Sequence, residues 1–130
     1  MTAIRTITPV STELPRSKAP LEWAVSANGI LFTAQIPIDG SGQVVVGGIE
    51  AQARQTMENL KHTLECAGGG MASLTQALIY VTDRTHLAAV NKVYAEYVME
   101  PYPNRAAIIV SGFAREEMLV EIVAYAATSS

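Results

Sequence analysis

The chain has 130 residues, of which 49% are hydrophobic and 16% are charged. This length and composition supply apolar surface for one hydrophobic core, so we expect a single domain over residues 1–130 rather than two domains or a disordered chain. The net charge is −3 and no concentrated basic cluster is present, which argues against a protein that binds nucleic acid. Because few charges are available to cover the exterior, the composition favours an oligomer.

Membrane, disulfide and metal-binding classes are also disfavoured. No apolar run approaches the ~18 residues of a membrane span, and the N-terminus lacks the apolar segment of a signal peptide. Cys66 is the only cysteine, and His62 and His86 do not have the spacing of metal ligands. We therefore expect a soluble, cytoplasmic protein without a metal site and without a membrane partner.

The first third of the chain contains short extended segments and one clear turn. Asn28-Gly29 lies between two of these segments, which is the strongest local signal for a β-hairpin. Residues 9–20 form a polar loop that contains several prolines. The extended segments predicted in this part of the chain are residues 3–8, 24–26, 30–36 and 43–46.

A long helix is predicted to follow Gly47-Gly48 and to end at the triple glycine of residues 68–70. Glu50 and Arg54 have the spacing of an ion pair on its solvent side. The apolar residues that recur at helical spacing are Ile49, Ala53, Met57, Leu60 and Leu64.

The second half of the chain predicts a buried strand, a second helix and two closing strands. Asp83 has the position of an N-cap for the second helix. The order β-β-β-α-β-α-β-β indicates an α+β fold, with two helices packed on one face of a mixed β-sheet. The strands predicted here are residues 77–81, 106–111 and 118–126.

Two charged residues lie in strands that are otherwise apolar. Arg105 begins one closing strand, and Glu121 interrupts the other. A carboxylate among aliphatic side chains is costly to bury unless it is paired, and desolvation raises its pKa. A guanidinium presents a planar fork that binds a carboxylate at two points.

The pattern leaves two interpretations open. In the first interpretation the two residues have no catalytic role: Arg105 and Glu121 form a structural ion pair, or Glu121 faces solvent on an open sheet face. Alternatively, both residues belong to one site in which Arg105 binds an anion and Glu121 handles a proton. Such a site suits a small carboxylate substrate whose neighbouring carbon is attacked by water.

Several segments resemble the RidA/YjgF family of reactive intermediate deaminases, which includes proteins described as endoribonuclease L-PSP-like. The resemblance extends from about residue 19 to residue 126, in register. The matching segments are residues 25–37 (VSANGILFTAQIP), 51–60 (AQARQTMENL), 90–94 (VNKVY), 103–106 (PNRA) and 120–124 (VEIVA).

The resemblance implies a chorismate-mutase-like α+β fold and a homotrimer, in which the sheets surround a central barrel and three clefts lie between subunits. It further implies hydrolysis of enamine and imine acids to 2-keto acids and ammonia, with no cofactor. It assigns catalytic roles to Arg105, which would bind the substrate carboxylate, and to Glu121, which would act on a proton through water. The other residues that it places at the substrate are Leu21, Thr33, Ala34, Asn91 and Ala107.

Three of these positions depart from the family pattern. Leu21 stands where deaminating members carry a tyrosine, Ala34 where glycine is usual, and Ala107 where cysteine is frequent. These changes point to a larger or more apolar substrate, such as a pathway-specific enamine of the aminomuconate type. The alternative is a non-catalytic module of the same fold that binds small carboxylates. Ribonuclease activity is disfavoured because the chain is acidic and contains no basic stripe.

Overall fold

The computed structural model describes residues 6–128, and its elements follow the predicted order β-β-β-α-β-α-β-β. Two single-turn 3-10 helices, Met71–Ser73 and Arg84–His86, precede the fourth strand and the second α-helix. The elements are β1 (Thr8–Pro9), β2 (Ala24–Ala27), β3 (Ile30–Gln35), α1 (Ile49–Cys66), β4 (Leu74–Val81), α2 (Leu87–Ala95), β5 (Asn104–Ile109) and β6 (Val120–Ala127).

The described strands form one mixed sheet in the order β1-β2-β3-β6-β4-β5. β4 and β5 are parallel, and the other neighbouring pairs are antiparallel. The turn between β2 and β3 contains Asn28 with φ 52° and Gly29 with φ 79°. Positive φ at both residues is what a two-residue type I′ hairpin requires, so the predicted hairpin is confirmed.

Both helices pack on the same face of this sheet, as the sequence predicts. The α1 residues Ala53, Met57, Leu60 and Leu64 are buried, and Ile49 packs against the same core. Alternate residues of β6 (Val120, Ile122, Ala124 and Ala126) face these helices and are also buried. Burial of each large aliphatic side chain contributes about 1.5–3 kcal/mol to folding stability. The contact between the helices and the sheet therefore forms the hydrophobic core.

The opposite face of the sheet is not covered by any described element, and we call it the open face. It carries the β6 residues that alternate with the buried ones, Val123 and Tyr125 among them, and these side chains are half-buried. Phe32 of β3 contacts Tyr125 edge-to-face, with ring centroids 5.5 Å apart. The open face is therefore largely apolar in the single chain.

Two strand predictions need correction. Residues 43–46 do not form a strand, because only an isolated bridge between Ile38 and Val44 is present there. For the strand predicted at residues 3–8, residues 3–5 lie outside the described part, and the observed strand is Thr8–Pro9. The hydrophobic pattern of residues 43–46 was too short to distinguish a bridge from a strand.

The ion pair expected between Glu50 and Arg54 is also wrong. Arg54 instead donates two hydrogen bonds to the carboxylate of Glu96, at 3.0 and 3.1 Å. Glu50 accepts from Lys92 Nζ at 3.4 Å. Both charged side chains of α1 therefore form ion pairs with the second helical segment rather than with each other.

Candidate functional site

Arg105 lies near the start of β5, beside α2. Its Nη2 donates a hydrogen bond to Asn91 Oδ1, and its Cζ lies 4.9 Å from the centroid of the Tyr94 ring. Asn91 and Tyr94 are one turn apart on α2, so the helix presents both to the guanidinium. The side chain is thus held by an amide oxygen and an aromatic face, while the remaining N–H groups of its fork are not used within the described residues.

Tyr94 is the less expected of these two partners. Its side chain is buried, and its hydroxyl oxygen has no hydrogen-bond partner among residues 6–128. Burial raises the pKa of this phenol, and the neighbouring Arg105 charge acts in the opposite direction. The ring face, rather than the hydroxyl group, is what Tyr94 offers to Arg105.

Glu121 lies on the open face at the start of β6. Its side chain is half-buried, and burial raises the pKa of its carboxyl group above the ordinary value. No hydrogen bond or ion pair reaches this carboxyl from another described residue. A partly desolvated, unpaired carboxyl retains its proton to higher pH than a solvated one, which suits a group that exchanges protons.

Arg105 and Glu121 lie on opposite faces of the sheet. Arg105 is paired in register with Ala77, which faces the helices, whereas Glu121 is paired with Tyr80 on the open face. The two residues are also two strands apart, a lateral separation of about 10 Å. One chain therefore forms neither the structural ion pair nor the shared site that the sequence left open.

The other predicted site residues divide in the same way. Ala107 is paired in register with Ile79 and lies on the face of Arg105. Leu21 and Ala34 instead line a pocket with Glu121. Thr33 is buried on the helix side, where its Oγ1 donates to the backbone oxygen of Trp23 at 2.5 Å and accepts from Gln35 Nε2 at 2.8 Å. Thr33 therefore supports the loop before β2 and does not line this pocket.

The pocket that contains Glu121 has a volume of about 400 Å³. It lies between the open face and the loop that precedes β2, and we call it the Glu121 pocket. Trp23 is fixed at its wall by a 2.9 Å hydrogen bond from Nε1 to the backbone oxygen of Pro15. Most of the lining is apolar, and the large apolar side chains are Leu21, Trp23, Ile36 and Met118.

Sequence reasoning missed two charged residues of this pocket, Glu22 and Arg115, and it gave no role to Tyr94 beside Arg105. Arg115 lines the pocket from the loop between β5 and β6, but no periodicity or motif distinguishes it from its charged neighbours in that loop. The sequence points to Tyr94 only as the last residue of the segment 90–94 that resembles the family. Its spacing of three residues from Asn91 was the available signal, because residues at this spacing share a helix face.

Neither a metal centre nor a membrane span is found in the described part of the chain. No group of three or more histidine, cysteine, aspartate or glutamate side chains in residues 6–128 is arranged to hold a metal ion. No described helix is long and apolar enough to cross a bilayer.

Comparison with known proteins agrees with this fold. The family model described as Endoribonuclease L-PSP matches residues 11–128. A RutC family protein of Pyrococcus horikoshii is 39% identical over 114 residues, covering 85% of this chain and 90% of that protein. The 3-aminoacrylate deaminase RutC of Acinetobacter baylyi is 37% identical over 114 residues, covering 86% and 90%.

The solved structures include a Rid family protein, YyfA of Yersinia pestis, that superimposes with a TM-score of 0.89 at 31% identity, covering 95% of this chain and all of that one. The fold thus defines an α+β protein of the Rid type. The chain belongs to the RidA/YjgF family, which the family model describes as Endoribonuclease L-PSP. This confirms the resemblance found in the sequence.

Proposed function

We propose that the protein hydrolyses enamine and imine acids to 2-keto acids and ammonia, at a site formed between two copies of the chain. The observation that carries this proposal is the division of the predicted site between two faces of one sheet. Arg105 offers a held guanidinium on one face, and Glu121 offers an unpaired carboxyl on the other. A relative with 37% identity is a 3-aminoacrylate deaminase, and 3-aminoacrylate is likewise an enamine acid.

A second copy supplies what a single chain lacks. If the open face of one chain packs against others, as in a trimeric barrel, the edge strand β5 with Arg105 can lie beside Glu121 of the neighbouring chain. The apolar character of the open face and the charged fraction of 16% both support burial of this face. We therefore propose a homotrimer with one such site between each pair of subunits.

The proposed reaction needs a site that positions the substrate and a group that transfers one proton from oxygen to nitrogen. Arg105 binds the substrate carboxylate through two parallel N–H···O bonds. An enamine first takes a proton on carbon to give the iminium ion, and water then adds to the carbon of the C=N bond. Glu121, through its proton or through a held water molecule, moves a proton from the added oxygen to nitrogen. The C–N bond then breaks, ammonia leaves, and the hydroxyl oxygen gives its remaining proton to water as the C=O bond of the 2-keto acid forms. We propose that no metal or cofactor takes part.

Leu21 favours a second candidate function. It lines the Glu121 pocket and is 42% exposed, at the position where deaminating members carry a tyrosine. Leucine has no hydroxyl group for the substrate or water. With Ala34 and Ala107, this change supports a module that binds small carboxylates without hydrolysing them. This candidate predicts binding of 2-keto acids in the absence of any ammonia release.

Measurement of ammonia release from imine acids generated in situ distinguishes these candidates. We expect the wild-type protein to accelerate the release, and Arg105→Ala to lower kcat/KM about 100-fold, since a charge-assisted bidentate contact with a carboxylate is lost. Arg84→Ala, which removes an equal charge from an exposed turn, serves as the control and should leave the rate unchanged. A rate unchanged in Arg105→Ala would overturn the assigned role. Binding without turnover by the wild type would establish the non-catalytic module.

The remaining expectations are proposals of the same kind. A small carboxylate is the proposed substrate, and no nucleic-acid or membrane partner is proposed. The ribonuclease activity in the description of the family is not proposed either, because the net charge of −3 opposes binding of a polyanion. A cytoplasmic location remains a prediction from the sequence.

A further inference from the structure

A second pocket adjoins the Glu121 pocket, and all its charged lining residues among those described are basic. It has a volume of about 490 Å³, and we call it the basic pocket. Its basic side chains are Arg16, Lys18 and Arg115. Of these, Arg16 lies 3.5 Å from the carboxylate of Glu22, whereas Lys18 and Arg115 form no ion pair within the described residues. The pocket therefore has uncompensated positive charge.

The two pockets adjoin one another and share part of their lining. Arg115 and Trp23 line both of them, together with Ser17 and Ala19. Trp23 is fixed by its hydrogen bond to Pro15, so the shared wall is ordered. A ligand with one end beside Glu121 can therefore extend past Trp23 and bring its other end to Arg115.

Arg115 is held in place at this junction. Its Nη1 donates to the backbone oxygen of Gly42 at 2.7 Å. The turn that presents Gly42 is itself fixed by Asp39, whose Oδ1 accepts from the backbone N–H groups of Ser41 and Gln43 at 2.9 and 3.1 Å. The Ser41 hydroxyl donates to the same oxygen at 2.7 Å, and this bond, together with the two backbone bonds, lowers the pKa of the Asp39 carboxyl. One edge of the Arg115 guanidinium is thus anchored, and its other N–H groups are left for a ligand.

We propose that the substrate is a dicarboxylate, an enamine or imine acid whose hydrocarbon chain ends in a second carboxylate that binds Arg115. The inference rests on the proposed function, because it takes Glu121 as the reacting end of the site. Leu21, Trp23 and Met118 supply an apolar wall for the hydrocarbon chain. Lys18 adds a second positive charge at the far end. The smallest substrates of the class, such as 2-aminoacrylate, would leave the basic pocket unused.

A pair of substrates with equal chain length tests this proposal. The imines of 2-aminoadipate and of norleucine differ only in the terminal group, which is a carboxylate in the first and a methyl group in the second. Both are made in situ by oxidation of the amino acids, and hydrolysis is followed by ammonia release. We expect the wild-type protein to hydrolyse the dicarboxylate imine with a kcat/KM at least ~10-fold higher. One additional charge-assisted contact stabilises the bound dicarboxylate by this amount.

The variant Arg115→Gln tests the contact between Arg115 and the second carboxylate of the substrate. We expect this variant to lose about tenfold in kcat/KM for the dicarboxylate imine, mainly through KM, and to retain the wild-type value for the norleucine imine. Lys61→Gln removes the same charge from an exposed position of α1 and should change neither value. Equal values for both substrates in the wild-type protein, or the same loss in both variants, would overturn the proposal.

Binding of the keto-acid products separates this proposal from the proposed function. If no imine is hydrolysed, 2-ketoadipate and 2-ketohexanoate are compared by titration calorimetry. Tighter binding of 2-ketoadipate that disappears in Arg115→Gln would support the dicarboxylate site while overturning hydrolysis. Equal binding of the two acids would overturn the dicarboxylate site.

Discussion

At the residue scale, the structure links Arg105 to two side chains of α2. Asn91 accepts a hydrogen bond from its guanidinium, and the Tyr94 ring lies 4.9 Å below it. A guanidinium held on two sides loses less rotational freedom when a carboxylate binds, so its orientation contributes to affinity. Asn91 and Tyr94 are thus positioning residues for Arg105.

Substitution of Tyr94 tests this positioning. We expect Tyr94→Leu to raise KM about two- to fivefold with little change in kcat, because a partly exposed cation–π contact contributes about 0.5–1 kcal/mol. Tyr94→Phe keeps the ring and removes only a hydroxyl group without a described partner, so it should retain the wild-type KM. Steady-state kinetics on one imine acid measure both. A rise in KM of the same size in Tyr94→Phe would contradict the role of the ring.

Glu121 gives a prediction about stability and pH. Its pKa is raised above the ordinary value of 4.5 by burial, so ionisation in the folded state is less favourable than in the unfolded state. This loss of folding stability is absent at pH values where the Glu121 carboxyl is protonated in both states. It appears as the pH rises through the unfolded-state pKa towards the folded-state pKa. It then persists at neutral pH.

We therefore expect Glu121→Gln to raise the free energy of unfolding at pH 7 while abolishing activity. The advantage over the wild type should vanish below about pH 4, where the carboxyl is neutral in both states. Denaturant unfolding at a fixed protein concentration across this pH range measures it. A variant that is less stable than the wild type at pH 7 would show that the carboxylate is stabilised by a contact absent from the single chain.

The charges at these two positions were visible in the sequence, but their relation was not. A charged residue in an apolar strand is conspicuous, so Arg105 and Glu121 could both be selected. The face on which each side chain lies depends on the register of β4 with β5 and β6, which the local pattern does not encode. The residue pattern therefore predicts one shared site without saying which chain contributes each residue, and only the family resemblance implies clefts between subunits.

At the element scale, the features that could be predicted were those with local causes. The hairpin depends on Asn28-Gly29, and α1 depends on a repeated apolar spacing that ends at the residues before Gly68. The partners of Glu50 and Arg54 could not be predicted, because they lie on α2 or directly after it and are brought close only by helix packing. Long-range contacts outweighed the local i,i+4 geometry at both positions.

The central helix gives a prediction about stability. Leu60 of α1 is fully buried in the core, while the adjacent Lys61 is exposed. We expect Leu60→Ala to lower the free energy of unfolding by about 2–5 kcal/mol, through loss of apolar burial and the cavity that remains. Lys61→Ala should change it by less than about 0.5 kcal/mol. A comparable loss in both variants, measured by denaturant unfolding, would contradict the assigned packing of α1.

At the scale of the whole molecule, the composition and the open face support the same interpretation. A charged fraction of 16% indicated an apolar surface, and the structure locates apolar side chains on the sheet face opposite the helices. Composition could predict that an interface exists, but only the topology identifies which face is uncovered. The assembly itself remains a proposal.

A charge placed on the open face tests whether it is an interface. We expect Val123→Lys to convert a trimer of about 42 kDa, three times the chain mass of 13.9 kDa, into monomers, because a lysine cannot be buried unpaired between sheets. Val46→Lys places the same residue at a valine that is 91% exposed and should leave the mass unchanged. Light scattering distinguishes the two. A trimer retained in Val123→Lys would exclude the open face as the interface.

The central claim is that Arg105 and Glu121 act together from different chains, and subunit mixing tests it most directly. Arg105→Ala and Glu121→Gln are each expected to be inactive. When the two are unfolded together in equal amounts and refolded, about a quarter of the intersubunit sites should contain both intact residues, and activity should return to about that fraction of the wild-type value. A mixture as inactive as either variant, with mixed oligomers confirmed by mass, would contradict the account.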